Sequence, residues 1–140
     1  KIYLENTEML SDGEITINNI DGSFLIEGEN SRLLSDDIII SGSIIKGIFN
    51  MIDGKRDIAN LSVEDKKKIN IKTNNFLMSS NKAIYNKSTS QIELFENVEI
   101  NRKNEIINGD YGILDTKKNS YKVSSKKTSK VKAIILESNE

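Results

Sequence analysis

The sequence predicts an all-β fold that forms one elongated domain over residues 1–140. The main observation is an internal repeat, because Ile69 and Ile71 align with Val98 and Ile100 at an offset of 29 residues. A period of about 20–50 residues is typical of stacked arrays, in which each unit buries its apolar face against its neighbour. Apolar and polar residues also alternate, and turn-forming pairs separate the alternating segments. Together these features predict a row of short strands with an interior running along it.

The predicted strands follow one another along the chain. Residues 1–4 are strand-like and residues 14–18 alternate cleanly, whereas the denser apolar runs at 37–40 and 43–45 predict strands buried on both faces. Residues 62–68 have too few apolar side chains to anchor a helix, so we expect a loop or a single turn there. Renewed alternation predicts strands at 68–72, 91–94, 97–101, 120–124 and 130–133.

Turn-forming residues lie between these segments. They are Asp12-Gly13, Asp21-Gly22, Asp53-Gly54, Asn108-Gly109 and residues 86–90. The chain contains no Pro, so no predicted strand is interrupted by a residue that lacks an N–H group. A spacing of about 8–12 residues between strands favours a sandwich, a barrel or a roll. A β-solenoid is the alternative.

Composition excludes several functional classes. The chain has no Cys and no His, so it lacks thiolate ligands, imidazole ligands and the Ser-His-Asp or Cys-His arrangements of hydrolases. Its formal net charge of −1 gives no general attraction to nucleic acid. The acidic pairs Asp36-Asp37 and Glu64-Asp65 have no convergent partner in the sequence, and we interpret them as solvated loops. We therefore expect no catalytic role, no cofactor and no metal site.

Four short segments carry a family resemblance. Residues 83–86 (AIYN) resemble a strand end written A-x-Y-D, and residues 91–100 (QIELFENVEI) resemble i-x-L-x-G-N-V-x-i. Residues 104–115 (NEIINGDYGILD) resemble n-x-i-x-G-D-x-l-x-x-D, and residues 129–133 (SKVKA) resemble a final R-V-x-a strand. The departures are Glu96 in place of Gly and Lys130 in place of Arg. In this order the segments resemble the OstA-like domain of the LptA family of periplasmic lipopolysaccharide transport proteins, to which LptC and the N-terminal domain of LptD are related.

The resemblance implies a fold, a function and partners. The implied fold is an elongated, open β-jellyroll of antiparallel strands. The implied function is to shield the acyl chains of lipopolysaccharide (lipid A) in an apolar interior while the lipid crosses the periplasm from the inner to the outer membrane. The implied partners are LptC-like and LptD-like proteins, bound through the end strands, together with head-to-tail self-association. The chain begins inside a strand-like stretch, as a mature periplasmic protein would after removal of a signal segment.

Alternation also predicts which side chains face inward. One apolar row should point into the interior of the strand array while polar side chains face water. We predict that this inner row lines a lipid groove, although the plainer interpretation is that the row is only the core of the fold. Its predicted members are Ile15, Ile17, Ile69, Ile71, Ile92, Leu94, Val98, Ile100, Ile113, Tyr121 and Val123.

The first and last strands are the predicted partner contacts. An open array leaves unpaired backbone groups at each end, and pairing with another chain would satisfy them. Fraying or self-capping of both ends is the alternative. The predicted contacts are Ile2, Tyr3, Leu4, Val131, Ala133, Ile134, Ile135 and Leu136.

Basic residues concentrate near the C-terminus. Seven Lys and no acid lie between positions 116 and 132, namely Lys117, Lys118, Lys122, Lys126, Lys127, Lys130 and Lys132. These side chains would suit lipid phosphates or an acidic partner, but Lys is also an ordinary means of protecting edge strands. A structural or adhesive β-repeat that binds proteins through its edges is the alternative function. A glycan-acting enzyme would need two carboxylates facing one cleft, and the sequence singles out no such pair.

Overall fold

The computed structural model describes residues 1–125 and 131–135. This part of the chain contains eleven β-strands and no helix. The strands are β1 (Ile2–Leu4), β2 (Thr7–Leu10), β3 (Glu14–Ile17), β4 (Ser23–Ser35), β5 (Ile38–Ile52), β6 (Lys55–Lys72), β7 (Leu77–Asn86), β8 (Gln91–Arg102), β9 (Glu105–Asp115), β10 (Ser120–Ser124) and β11 (Lys132–Ile135).

All eleven strands form one antiparallel sheet in nearly sequential order. The order is β1-β2-β4-β5-β6-β7-β8-β9-β10, with β3 paired to β4 and β11 paired to β9. Because consecutive strands are hydrogen-bonded antiparallel neighbours, the solenoid alternative is wrong and the all-β prediction is confirmed. The sequence repeat corresponds to one hairpin, since an offset of 29 residues carries β7 onto β9 and the start of β8 onto β10.

The long strands are continuous, but the backbone pairing between them is interrupted at the same level in each strand. These interruptions divide the sheet into two halves. The ladder shifts register between Glu27 and Ser31 in β4, and again in β5 to β8. At both ends the division is complete, because β2 and β3 pair with different parts of β4, and β10 and β11 with different parts of β9. We call this line of interruptions the crease. Two half-sheets meet along it and enclose one core.

Among the described residues, 22 buried apolar side chains form the core, and they alternate with polar or half-exposed ones along the strands. The members are Leu4, Met9, Phe24, Ile26, Leu33, Ile38, Ile40, Ile45, Phe49, Ile58, Leu61, Val63, Ile69, Ile71, Phe76, Met78, Ala83, Ile92, Leu94, Val98, Ile100 and Leu114. The expectation that 37–40 and 43–45 are buried on both faces is wrong, because Ile39 and Ile44 are only half-buried. The reason is that the sheet has a single inner face.

Two sequence predictions about irregular segments are also wrong. Residues 62–68 belong to β6, although the pairing of this strand is interrupted between Glu64 and Ile69. The predicted turn at Asn108-Gly109 lies within β9, where a Cβ atom on Gly109 would overlap the side chain of Val123. This Gly therefore serves close packing, not chain reversal. By contrast, Asp53 and Gly54 form the expected tight turn, with φ values of 50° and 76°.

The crease runs across the middle of the long strands, and the turns that connect these strands lie at the two ends. The turns at each end form one row. The first turn row contains residues 5–6, 36–37, 73–76 and 103–104. The second turn row contains residues 18–22, 53–54, 87–90 and 116–119. The two rows approach each other, and the line where they meet is called the seam below.

Candidate functional site

Six of the predicted inner-row residues lie at the centre of the core. The side chains of Ile69, Ile71, Ile92 and Leu94 are completely buried, and Val98 and Ile100 are 1% exposed. Four further predicted members are half-buried and pack against this centre from edge strands β3 and β10. These are Ile15, Ile17, Tyr121 and Val123.

The prediction for Ile113 is wrong. Its cross-strand neighbours are Glu93 and Lys122, so it lies on the outer face and is half-buried there. The inner position belongs to Leu114, which opposes Ile92 and Tyr121 and is completely buried. Alternation could not decide between these two adjacent apolar residues.

Sequence reasoning missed the half of the interior that is built by the first strands. The available signal was the alternation along β4, in which residues 24, 26, 33 and 35 point inward. This alternation could have identified the inner face of the first strands. The dense isoleucine run of β5 hid the same alternation there, because its outer positions are also apolar. The missed, completely buried members are Met9, Ile26, Leu33, Ile40 and Ile45. The inner row thus continues from β2 to the end of the sheet.

Side-chain contacts hold the seam closed. Lys87 Nζ lies 3.4 Å from Asp36 Oδ2 across the seam and 2.5 Å from Asp57 Oδ1 on its own side. The sequence interpretation of Asp36 as part of a solvated loop overlooked this contact. Two further contacts cross the seam. Asn75 Nδ2 donates to Asn119 Oδ1 at 3.2 Å, and Arg56 Nε lies 3.7 Å from Glu5 Oε2. These three contacts across the seam are called the seam bridges.

The charge of Lys87 is stabilised in this position. Burial alone would lower its pKa and is the largest single influence, but the hydrogen bond that Lys87 donates to Asp57 and the negative charges of Asp57 and Asp36 outweigh it. The pKa of Lys87 therefore lies above its ordinary value of 10.5. Its contribution to stability is complete below that value and is lost as pH rises above it. Because the Lys87 side chain is 32% exposed, we expect the pair to contribute about 1 kcal/mol or less.

Surface cavities lie along the seam and at the crease. A cavity of about 260 Å³ opens at the seam and has Ile38, Phe76 and Tyr85 among its lining residues. Another cavity, of about 630 Å³, lies beside the contact between Glu5 and Arg56. A third cavity, of about 920 Å³, is a mixed-charge depression at the crease. Within the described part of the chain, none of the completely buried core side chains lines any of these cavities.

The outer face carries polar contacts of its own. Tyr111 Oη donates to Glu93 Oε2 at 2.6 Å, and its ring packs edge-on against Phe95. This hydrogen bond, with a smaller contribution from burial, raises the pKa of Tyr111 to about 12. Of the predicted basic cluster, Lys117, Lys118 and Lys122 are exposed. Lys126, Lys127 and Lys130 lie outside the described residues, and the side chain of Lys132 is likewise not described.

The first and last described strands lie at opposite ends of the sheet. In the described part, β1 pairs only with β2 and β11 pairs only with β9, so each has a free edge. The strands β3 and β10 also have free edges, which the sequence did not indicate. Exposed apolar side chains mark both ends: Tyr3 at one, and Val131, Ala133, Ile134 and Ile135 at the other. Ile2 is half-buried and Leu4 is buried, while Leu136 lies outside the described residues.

Two further classes of feature are missing from residues 1–125 and 131–135. These residues contain no helix that is long and apolar enough to cross a membrane. They also contain no group of three or more acidic side chains placed to hold a metal ion. What the described geometry provides is a continuous apolar interior, a polar seam and free strand edges.

These features define a class of protein, the antiparallel β-jellyroll whose two half-sheets enclose an apolar interior. Residues 12–120 match the family described as "LptA/(LptD N-terminal domain) LPS transport protein", and the chain belongs to this family of lipopolysaccharide transport proteins. The fold is similar to that of LptH from Pseudomonas aeruginosa, "the LptA homologous periplasmic component of the conserved lipopolysaccharide transport device". That similarity has a TM-score of 0.79 at 8% identity and covers 94% of this chain and 95% of the other. A comparison with curated protein sequences finds no significant match.

Proposed function

We propose that the protein is a non-catalytic periplasmic carrier that shields the acyl chains of lipopolysaccharide in its interior. The observation that carries the proposal is the inner row, which is mainly apolar from β2 to β10 and lies between two half-sheets. Removing an acyl chain from water is worth about 0.8 kcal/mol per methylene, so a modest buried length gives substantial affinity. The polar seam suits a lipid whose head group stays in water.

Site-specific photo-crosslinking tests this proposal. A photo-reactive residue is placed singly at Ile92, Leu94 or Ile100, and crosslinks to lipopolysaccharide are scored on gels. Glu93 and Ile113 are the outward controls, and they face each other on the outer side of the sheet. Ile113 is a matched control because it has the same apolar side chain as Ile92 and Ile100 but points outward. Crosslinks from inner positions alone support the proposal, and equal or no crosslinking from both faces contradicts it.

We also propose that the end strands join the protein to neighbouring domains. The free edges of β1 and β11 offer backbone groups for strand addition by LptC-like or LptD-like proteins, or by a second copy. An Ile135→Lys variant places a charge on the exposed edge and should weaken end-to-end association in sedimentation experiments. Met51→Lys is the matched control, because Met51 is similarly exposed but does not lie on β11. Equal association of both variants would contradict this assignment.

The alternative function, a structural or adhesive β-repeat, rests on the same free edges. It predicts protein binding without lipid binding. Detergent distinguishes the two, because detergent should compete with lipid for an apolar interior but should leave backbone pairing between strands largely unchanged. Association that is insensitive to detergent, with no lipid bound, would favour the structural function.

A further inference from the structure

The seam is held together differently from the rest of the fold. Neighbouring strands are joined by backbone ladders, and the long strands continue across the crease. In the described part of the chain, the hydrogen bonds and ion pairs that cross the seam join side chains only. The backbone hydrogen bonds of the turns remain on one side, as in the bond from Lys87 N–H to the carbonyl of Ala59. The half-sheets can therefore separate along the seam without breaking the ladders.

The cavity of about 260 Å³ lies on the seam between the two turn rows and is lined by two core residues, Ile38 and Phe76, and we call it the portal. Three apolar or aromatic side chains of the portal, Ile38, Phe76 and Tyr85, continue into the core, since Ile38 and Phe76 are core members and Tyr85 packs against the core cluster. Its other lining residues are polar, namely Asp36, Asp37, Thr73, Asn74, Asn75, Thr116 and Asn119. The seam bridges from Asp36 and from Asn75 lie at this rim.

The chemistry of the portal suits an uncharged chain. Its volume lies below the range of about 300–1,000 Å³ that holds complete small ligands. Two carboxylates, Asp36 and Asp37, stand on the rim, whereas its described lining contains no cation. Phosphate groups are therefore disfavoured there, and a single acyl chain fits the apolar side chains beneath. Lys87 lies next to the portal, because its Nζ is 3.4 Å from Oδ2 of Asp36 on the rim.

We propose that an acyl chain of the lipid enters laterally through the portal, and that Lys87 is the latch that holds the seam closed. Lys87 does so by binding Asp36 on the first turn row while it is anchored to Asp57 on its own side. This inference rests on the proposed carriage of lipid and adds the route of entry and the residue that controls it. Entry from the ends of the jellyroll is the competing route.

Reversible crosslinking of the seam tests the route. Asn75→Cys and Asn119→Cys are combined in one chain, and a short bis-methanethiosulfonate reagent joins the two thiols. The chain has no other Cys, so the product is unique and can be verified by mass. Asp12→Cys with Asn30→Cys is the matched control, because these side chains are hydrogen-bonded at 2.9 Å but lie at the crease. Loading is followed with fluorescent lipopolysaccharide in a stopped-flow instrument.

The linked seam should load at least tenfold more slowly than its reduced form, and reduction should restore the rate. The control variant that is linked across residues 12 and 30 at the crease should load lipopolysaccharide at a rate within twofold of that of its reduced form. Equal loading by the linked and reduced seam would overturn the lateral route while leaving the carrier function intact. Failure of the reagent to join residues 75 and 119 would also overturn it, because the seam would then not be closed. If the untreated protein binds no lipopolysaccharide, the proposed function itself fails and the route with it.

A second variant tests the latch without crosslinking. Lys87→Met keeps an unbranched side chain but removes the charge that contacts Asp36, so loading should accelerate severalfold. Lys82→Met is the control, since Lys82 is an exposed lysine of β7, the strand that ends just before Lys87, and it lies at the crease instead of the seam. Acceleration that is equal in both variants, or absent from Lys87→Met, would overturn the latch.

Discussion

Glu96 occupies a backbone conformation that favours glycine, and this makes one substitution informative. Its φ is 64°, in the left-handed region, at the point where β8 crosses the crease. The family pattern has Gly at this position. The adjacent Asn97 also has a positive φ, 51°, but Asn tolerates this conformation better than Glu. We therefore expect Glu96→Gly to stabilise the protein.

The magnitude follows from two opposing terms. The left-handed conformation costs a residue with a Cβ atom about 1–2 kcal/mol. Glycine loses more backbone entropy on folding, which offsets about 0.5–1 kcal/mol of that gain. The net stabilisation should be about 0.5–1 kcal/mol, equivalent to a rise in the midpoint of thermal unfolding of about 2–4 °C for a domain of this size. The Glu96 side chain is exposed, so little packing is lost.

Urea unfolding monitored by far-UV circular dichroism measures this change. Glu96→Ala is the first control, because it removes the same side chain but keeps the strain, and its stability should stay close to that of the original protein. Glu99→Gly is the second control. Glu99 lies on the same strand without a positive φ, so glycine there should be destabilising. Destabilisation by Glu96→Gly to the same extent as Glu99→Gly would refute the assignment of strain to position 96.

Three other predictions concern the two faces of the sheet. Leu94→Ala should lower the free energy of unfolding by about 2–5 kcal/mol because it leaves a cavity in the core. Ile113→Ala, on the outer face, should lower it by about 1 kcal/mol. Equal losses of stability would contradict the assignment of Leu94 to the inner face. Glu93→Gln should lower the pKa of Tyr111 from about 12 towards 10, because the carboxylate that opposes ionisation of the phenol is removed. The absorbance of tyrosinate measures this pKa. An unchanged pKa would exclude Glu93 as the cause of the shift. With Glu93 present, Tyr111 favours its neutral form, so its contribution to stability is lost only as pH rises from 10 through about 12. Gly47→Ala should destabilise the protein by more than 1 kcal/mol in the same urea assay. A Cβ atom at this position would lie 2.8 Å from Cβ of Leu61 and 2.8 Å from Cζ of Phe24, which is closer than van der Waals contact. An unchanged stability would indicate an interior that is less tightly packed.

Local patterns in the sequence predicted the parts of the fold that depend on neighbouring residues. Clean alternation in 69–71 and 91–94 identified the buried side of β6 and β8, because successive side chains of a strand point to opposite faces. The repeat identified the hairpin unit, and the family resemblance supplied the jellyroll topology. The free edges at β1 and β11 also followed, since the first and last strands of an open sheet have only one neighbour.

The errors occurred where local patterns were ambiguous or misleading. Ile113 and Leu114 are adjacent and both apolar, so only the register with β8 shows which one faces inward. Asn108-Gly109 has the composition of a turn, but its glycine is explained by a contact with Val123 on another strand. The polar residues of 62–68 suggested a loop because the crease itself was not visible in the sequence.

The seam could not have been predicted from local patterns at all. Its bridges join residues far apart in sequence, such as Asp36 and Lys87, which are separated by 51 positions. Considered alone, Asp36 and Lys87 are ordinary polar members of turns. Their meeting depends on how far the half-sheets fold towards each other at the crease. The angle between the half-sheets is set by the irregular pairing in each strand. Neither the strand propensity of the residues nor the period of their hydrophobic pattern encodes this irregular pairing.

A filled interior is what physical chemistry expects of two half-sheets with apolar inner faces. A permanently open groove would leave the inner row in water, and each buried Leu or Ile is worth about 1.5–3 kcal/mol. Closure of the half-sheets keeps these side chains out of water, and Ile92 and Leu94 are completely buried. In the proposed carrier, an acyl chain would offset the separation of the half-sheets by covering the same side chains. Substitutions in the inner row must then change stability and binding together, whereas Lys87 and the other seam residues allow the two properties to be varied separately.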